Sequence, residues 1–283
     1  MQHRGSSQSL GMHRPAVRFS FPAVLAFALT HASSSFGEGE KDTPHPPIPA
    51  ESQQLVLVRS ANWVVSSAVM TRYERANGGS WRAVGERVRV HVGKHGMAWG
   101  RGLQPLRPGP TKREGDGRTP AGVFRVGSLF GYAAQAPASA SPHFSYVHIT
   151  VGNTCVEDPR SPLYNQIINT GGPASPMLRA DGAFRLGFVI EQNTPEVTPG
   201  AGSCVFFHVQ RGPWLPTSGC TSAPLSEVAG LIDWLKPERE PVIVELPDPE
   251  YAELKDAWGL PREPDDSAKP HATTATSPVK TAG

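Results

Sequence analysis

Cysteine is scarce in this chain: 283 residues carry three, Cys155, Cys204 and Cys220. None belongs to a Cys-x2-Cys pair. His91 and His95 stand four apart, but in a strand–glycine–turn context that denies them a shared helix face, so no metal site is expected. The Gly-x4-Gly-Lys-Ser/Thr spacing of a phosphate-binding loop is missing, as are heptads and internal repeats. No cofactor is called for. The apolar run from Phe19 to Leu29 is too short to span a bilayer comfortably as a permanent helix. Acidic residues are absent from residues 1–36, which hold Arg4, Arg14 and Arg18. The whole chain has 27 basic and 25 acidic residues; without those three arginines the balance is 24 to 25. A near-neutral remainder disfavours nucleic-acid binding driven by bulk charge.

The acid-free start combines a basic stretch, a short apolar core and the small residues Ala32 to Ser35, which reads as a secretory signal over residues 1–36. That predicts export to the periplasm or cell envelope, with no stable membrane span after signal cleavage. Residues 37–50 (GEGEKDTPHPPIPA) read as a Pro-rich linker and residues 51–250 as the folded domain. Residues 251–283 read as a C-terminal extension, disordered from about 261, since no aromatic residue occurs from Glu263 to Gly283.

Short, turn-bounded apolar segments fill the domain. Leu55–Val58, Trp63–Met70, Val88–Val92, Val123–Val126, Tyr146–Val151, Phe184–Ile190, Val205–His208 and Val242–Leu246 suit strands. Many short strands with Gly/Pro punctuation predict a mainly β domain, a sandwich or partly closed barrel. One helix is expected from Pro224 to about Leu235, where apolar residues recur at helical spacing, and a short helical turn at Tyr164–Asn169. Nothing marks an interface, so a monomer is expected.

An odd cysteine count in an exported chain suggests one disulfide and one free, reactive thiol. Cys155–Cys204 is the pairing adopted, leaving Cys220 free; three reduced, buried cysteines are the alternative. His208 ends a strand-like run and Cys220 follows it across a connection bent by Gly212, Pro213 and Pro216. A thiol nucleophile needs a base, and His208 could serve. Amides around Gly219 and Cys220 could hold an oxyanion, and the N-terminus of the Pro224 helix would favour thiolate. On spacing alone, a buried histidine and a structural cysteine account for the pattern better; export, the odd cysteine and the Gly-Cys-helix context bring the two readings level.

Further blocks accompany this pair. Gly109–Phe124 reads GPTKREGDGRTPAGVF, Cys155–Asn165 reads CVEDPRSPLYN, and Gly202–His208 reads GSCVFFH. Together with the Ser218-Gly219-Cys220 stretch they resemble the L,D-transpeptidase catalytic-domain family (YkuD-type, ErfK/YbiS-like), over roughly Val88 to Leu246. The resemblance implies a YkuD-like β-sandwich or partly closed barrel with one helix following the catalytic cysteine. It implies Cys220 as acyl-accepting nucleophile, His208 as general base, and Gly219 in the oxyanion-binding turn. The implied partners are peptidoglycan stem peptides, cleaved at an L-centre–D-centre bond beside a diamino acid. There are departures: Ser218 stands where the widespread Ser-His-Gly-Cys motif has histidine, and Ser222 takes the place of its Arg or Asn. Ser218 or a backbone carbonyl is then left to orient His208.

Other candidates have two readings each. Lys112, Arg113 and Arg118 could meet substrate carboxylates, or form a solvated hairpin turned at Asp116-Gly117. Tyr164 and Asn165 could line the cleft or pack a loop, and Trp214 could lid the substrate or pack locally.

Overall fold

The computed structural model describes residues 46–170 and 176–262; the expected signal, most of the linker and the chain from 263 lie outside the described residues. Strands form where β-branched and aromatic residues cluster. In chain order they are β1 (Gln54–Ser60), β2 (Ser67–Glu74), β3 (Arg82–His91), β4 (Met97–Trp99), β5 (Thr119–Gly131) and β6 (Tyr146–His148). There follow β7 (Asn153–Cys155), β8 (Ile167–Asn169), β9 (Leu186–Ile190), β10 (Phe206–Val209), β11 (Thr221–Ala223) and β12 (Val242–Pro247). Two α-helices are described, α1 (Leu225–Trp234) and α2 (Asp248–Leu254).

Eight strands run β12-β1-β2-β3-β11-β10-β9-β5, and β12 pairs back onto β5, so the sheet closes into a barrel. Closure satisfies the strand edges that an open sandwich would leave bare. The fold is therefore mainly β, with the barrel the form adopted. β4 and β6 pair in parallel with β5 outside the ring, and β7 and β8 make a separate antiparallel pair. The barrel core includes Leu55, Leu57, Phe124, Phe188, Phe207 and Val244, with Phe188 and Phe207 stacked at 5.1 Å. α1 turns Val228, Leu231 and Ile232 into this core beside β9 and β10. Outside the barrel wall a smaller cluster gathers Phe130, Ile149, Cys155, Met177, Cys204 and Phe206.

Three sequence expectations need correction. Ile167–Asn169 belongs to a strand paired with β7 rather than to a helical turn, because Cys155 opposite Ile167 needs a ladder partner. Residues 63–66 turn before β2 begins. The fold also continues past residue 250: Tyr251, Leu254, Trp258 and Leu260 are buried in the main core. Trp258 packs edge-on to Trp99, which packs edge-on to Trp63. Asp248-Pro249-Glu250 carries the acidic first turn and early proline that start α2.

An ionisable side chain sits inside the barrel. Glu245 on β12 is fully buried, and the Thr221 hydroxyl of β11 donates to its Oε1 while Oε2 has no partner. Burial raises its pKa to about 8, against the Thr221 hydrogen bond, which lowers it. The folded state therefore binds more protons than the unfolded state between about pH 4.5 and pH 8, and Glu245 makes stability fall as pH rises through that window. Glu245→Gln keeps the shape and removes the charge. Urea unfolding of both proteins at pH 5 and pH 8 should show the variant gaining on the wild type with pH, reaching an advantage of about 1–3 kcal/mol, the scale of an unsatisfied buried polar group. A difference that does not change with pH would rule out this role for Glu245.

Candidate active site

Alternation along β10 decides what faces where. Phe207 and Val209 join the barrel core, while Phe206 belongs to the outer cluster, on the side that His208 shares. β11 lies parallel to β10 with Phe207 opposite Thr221 and His208 opposite Ser222. Cys220, one residue before Thr221, thus comes to the outer side and packs against the Phe206 cluster. His208 and Cys220 line one cavity of about 280 Å³ together with Phe184, Phe206, Arg179, Arg211 and Ser218. A second cavity of about 250 Å³ shares Cys204, Glu157, Ser218 and Cys220 with the first and is also lined by Lys94, Lys112 and Gly219.

The cysteine's backbone is tied down firmly. Thr217 Oγ1 and Thr119 Oγ1 donate to the Cys220 carbonyl at 2.5 and 3.0 Å. Gly219 adopts φ +143°, and a Cβ there would lie 3.0 Å from the Arg118 carbonyl oxygen, so only glycine fits the turn. The Gly219 N–H donates to Thr217 Oγ1 at 3.1 Å. Of the amides expected to hold an oxyanion, that of Gly219 is thus engaged within its own turn.

His208 is buried, and its Nδ1 lies 2.9 Å from the Val209 carbonyl oxygen. Assigned as N–H donor, Nδ1 leaves Nε2 as the basic nitrogen. The Val209 carbonyl, rather than Ser218, orients the ring, and Phe184 holds it edge-on at 5.1 Å. Burial pulls the His208 pKa down to about 4; the Val209 carbonyl opposes this, and the Arg179 and Arg211 charges add to it. Cys220 keeps partial exposure, yet burial of its thiol pushes the pKa up to about 12, against the Phe206 backbone amide, which lowers it. At neutral pH the resting pair is a thiol and a neutral imidazole, with charge arising only when the proton moves.

The helix N-terminus does not assist the thiol. β11 and Pro224 stand between Cys220 and the start of α1, and an extended chain of that length spans roughly 15 Å. A helix terminus acts within about its own first turn. The disulfide joins Cys155 and Cys204, which leaves Cys220 as the free thiol. It ties β7 to the segment entering β10 and backs the cavity wall.

The remaining expected residues divide. Ser218 is exposed and lines both cavities. Arg118 turns away, its Nη1 donating to the Met97 carbonyl at 3.0 Å, while Arg113 is exposed and lines neither cavity. Tyr164 is buried with its hydroxyl donating to Glu114, and burial raises its pKa further, helped by that carboxylate. Asn165 adopts φ +67°; its Nδ2 donates to the Gln192 carbonyl and its Oδ1 accepts the Cys204 N–H. Both brace the disulfide segment from behind. Trp214 is 75% exposed and lies outside both linings, 6.0 Å from the Arg89 guanidinium. His91 Nε2 lies 2.8 Å from the Pro213 carbonyl, fastening the connection that carries Trp214.

Sequence reasoning missed Arg179, Arg211, Phe184, Thr119 and Thr217. Thr119 lies inside the Gly109–Phe124 block, and Arg211 and Thr217 lie in the connection between His208 and Cys220, so these could have been noticed there; Arg179 sits in a segment with no pattern. Among the described residues no cluster of three or more His, Cys, Asp or Glu side chains could hold a metal ion, and no helix is long and apolar enough to cross a membrane. No family model and no curated protein matches this chain.

The thiol arrangement has a direct check. Maleimide labelling of the native protein, followed by peptide mapping, should modify Cys220 alone. Unfolding without reductant should add no further site, and reduction should bring the total to the three cysteines of the chain. Labelling of Cys155 or Cys204 without reductant would overturn the pairing.

Proposed function

We propose that this chain is an exported cysteine acyltransferase of cell-wall peptidoglycan, an L,D-transpeptidase-like enzyme with a YkuD-type catalytic domain. The observation that carries the reading is that the free thiol Cys220 and the neutral base His208 line one cavity. The sequence blocks at Gly109–Phe124, Cys155–Asn165 and Gly202–His208 add the family resemblance and, with it, the stem-peptide substrate.

In this reading the Cys220 proton passes to His208 Nε2 as sulfur bonds to the carbonyl carbon of the diamino acid. The tetrahedral intermediate collapses by breaking the C–N bond, and His208 returns the proton to the departing amine. A second amine then attacks the thioester, giving its proton to His208, and the thiol is re-formed. Nε2 must be unprotonated for the first step. The fixed orientation by the Val209 carbonyl and the Phe184 ring supports His208 in that role, because a base aimed in advance loses little entropy at the transition state.

The test is to incubate the residue 37–283 protein with a disaccharide-tetrapeptide and follow products by mass spectrometry. Cross-linked or exchanged stems are expected, and Cys220→Ala should abolish them. His208→Gln should cost about 100- to 10,000-fold in rate, the usual contribution of a general base. With His208 titrating at about 4, kcat/KM should hold between pH 7 and pH 5 and fall below about pH 4. Tripeptide as the sole product would make the enzyme an L,D-carboxypeptidase working through the same thioester. Binding with no Cys220-dependent product would leave a non-catalytic peptidoglycan-binding protein and defeat the proposal.

A further inference from the structure

Lys112 is a cation almost wholly withdrawn from solvent, its side chain 6% exposed, in the wall of the second cavity beside Gly219 and Cys220. Its Nζ donates to Asp116 Oδ1 at 2.6 Å and to the Arg113 carbonyl at 2.8 Å. An ammonium has three protons to donate, so one remains. Gly202, at φ +91°, keeps the lysine stem in place: a Cβ there would lie 3.0 Å from Cγ and 3.1 Å from Cε. The head group lies 4.0 Å from the position that a Cβ on Gly219 would take. Asp116 is itself fixed, accepting the Arg113 and Arg118 backbone N–H groups.

We infer that the Lys112 ammonium is the electrostatic partner of Cys220, stabilising the negative charge that forms on the thiolate and then on the attacked carbonyl oxygen. The inference rests on the proposed acyl-transfer reading for the oxygen, though not for the sulfur. Two observations favour it. The Gly219 amide is committed to Thr217, so the turn before the nucleophile lacks that donor and a cation stands beside it. Among the other charged groups around Cys220, Lys94 is exposed and screened by solvent, Glu157 is exposed and opposes the thiolate, and the Arg179 side chain is 40% exposed where that of Lys112 is 6%. Glu245 lies inside the barrel, and His208 is neutral when the thiol is at rest. Lys112 is thus the buried, fixed positive charge in the cavity wall beside Cys220. Its Coulombic effect on the thiol lowers the pKa, against the dominant rise from burial and a larger Coulombic rise from Glu157.

The test needs no peptidoglycan. Iodoacetamide alkylation of the otherwise intact protein, followed between pH 7 and pH 10 with Cys220→Ala as the blank, reports thiolate availability directly. Lys112→Met should slow alkylation about tenfold on the rising limb of the profile, and Lys112→Arg should stay near the wild-type rate. Asp116→Asn releases the ammonium from its counter-ion and should speed alkylation several-fold. Opposite effects of Lys112→Met and Asp116→Asn support the inference, since mere loosening of the loop would move both variants the same way. Should Lys112→Met fail to fold, Asp116→Asn decides: faster alkylation supports Lys112 in this role, and an unchanged or slower rate overturns it. A folded Lys112→Met with a wild-type profile also overturns it. Absence of turnover on stem peptides, with the alkylation shifts present, would fault the acyl-transfer reading while leaving the cation–thiolate pairing intact.

Discussion

The parallel pairing of β10 with β11 is the constraint on which the rest of the site depends. Side chains in a strand alternate, and parallel neighbours in register share a face. With Phe207 set opposite Thr221, both turn into the barrel, and the residues that precede and follow them turn outward. That single register brings Cys220 and His208 to one side of the wall. A slip of one residue would send the histidine into an apolar core and Phe207 to the surface, exchanging a stacked, fully buried aromatic pair for exposed rings. The stacking of Phe207 on Phe188 thus protects the chemistry as well as the fold.

Around this register the structure holds the reactive groups uncharged. Burial works against both ions of a thiolate–imidazolium pair, and it outweighs the neighbouring amide, carbonyl and lysine that favour charge at one partner or the other. Such a site spends nothing on holding a charge at rest and requires its stabilising groups to be in position when charge develops. The two threonines on the Cys220 carbonyl, the glycine-only turn at Gly219, the Val209 carbonyl on Nδ1 and the Asp116-anchored ammonium are all held by neighbours other than a substrate. They form a preorganised frame around a movable proton.

Legibility followed the range of the interaction. The strand runs, the helix at Leu225–Trp234 and the candidate pair of Cys220 and His208 were readable because period-two and helical patterns and a Gly-flanked cysteine are local signals. The Asp-Pro-Glu start of α2 is also a local signal, but a helix of 7 residues leaves little room for an apolar period to show. β7, β8 and β11, each three residues long, carry too short a pattern to announce themselves. Their pairing energy comes from partners distant in the chain.

What the sequence by itself determined is the inventory: a β-rich chain, three cysteines of odd parity, and a histidine at strand spacing from a glycine-cysteine turn. These follow from backbone preference and composition, which act between near neighbours. Only the tertiary structure decided that the sheet closes, that β11 separates Cys220 from the α1 terminus, and that Arg118 braces a backbone while Lys112 enters the cavity wall. Cations of one loop differ in fate because its turn, pinned by Asp116, fixes which side chain meets the site and which does not. Burial, which governs both pKa values at the centre, belongs to no residue alone; it arises when distant strands are brought into contact.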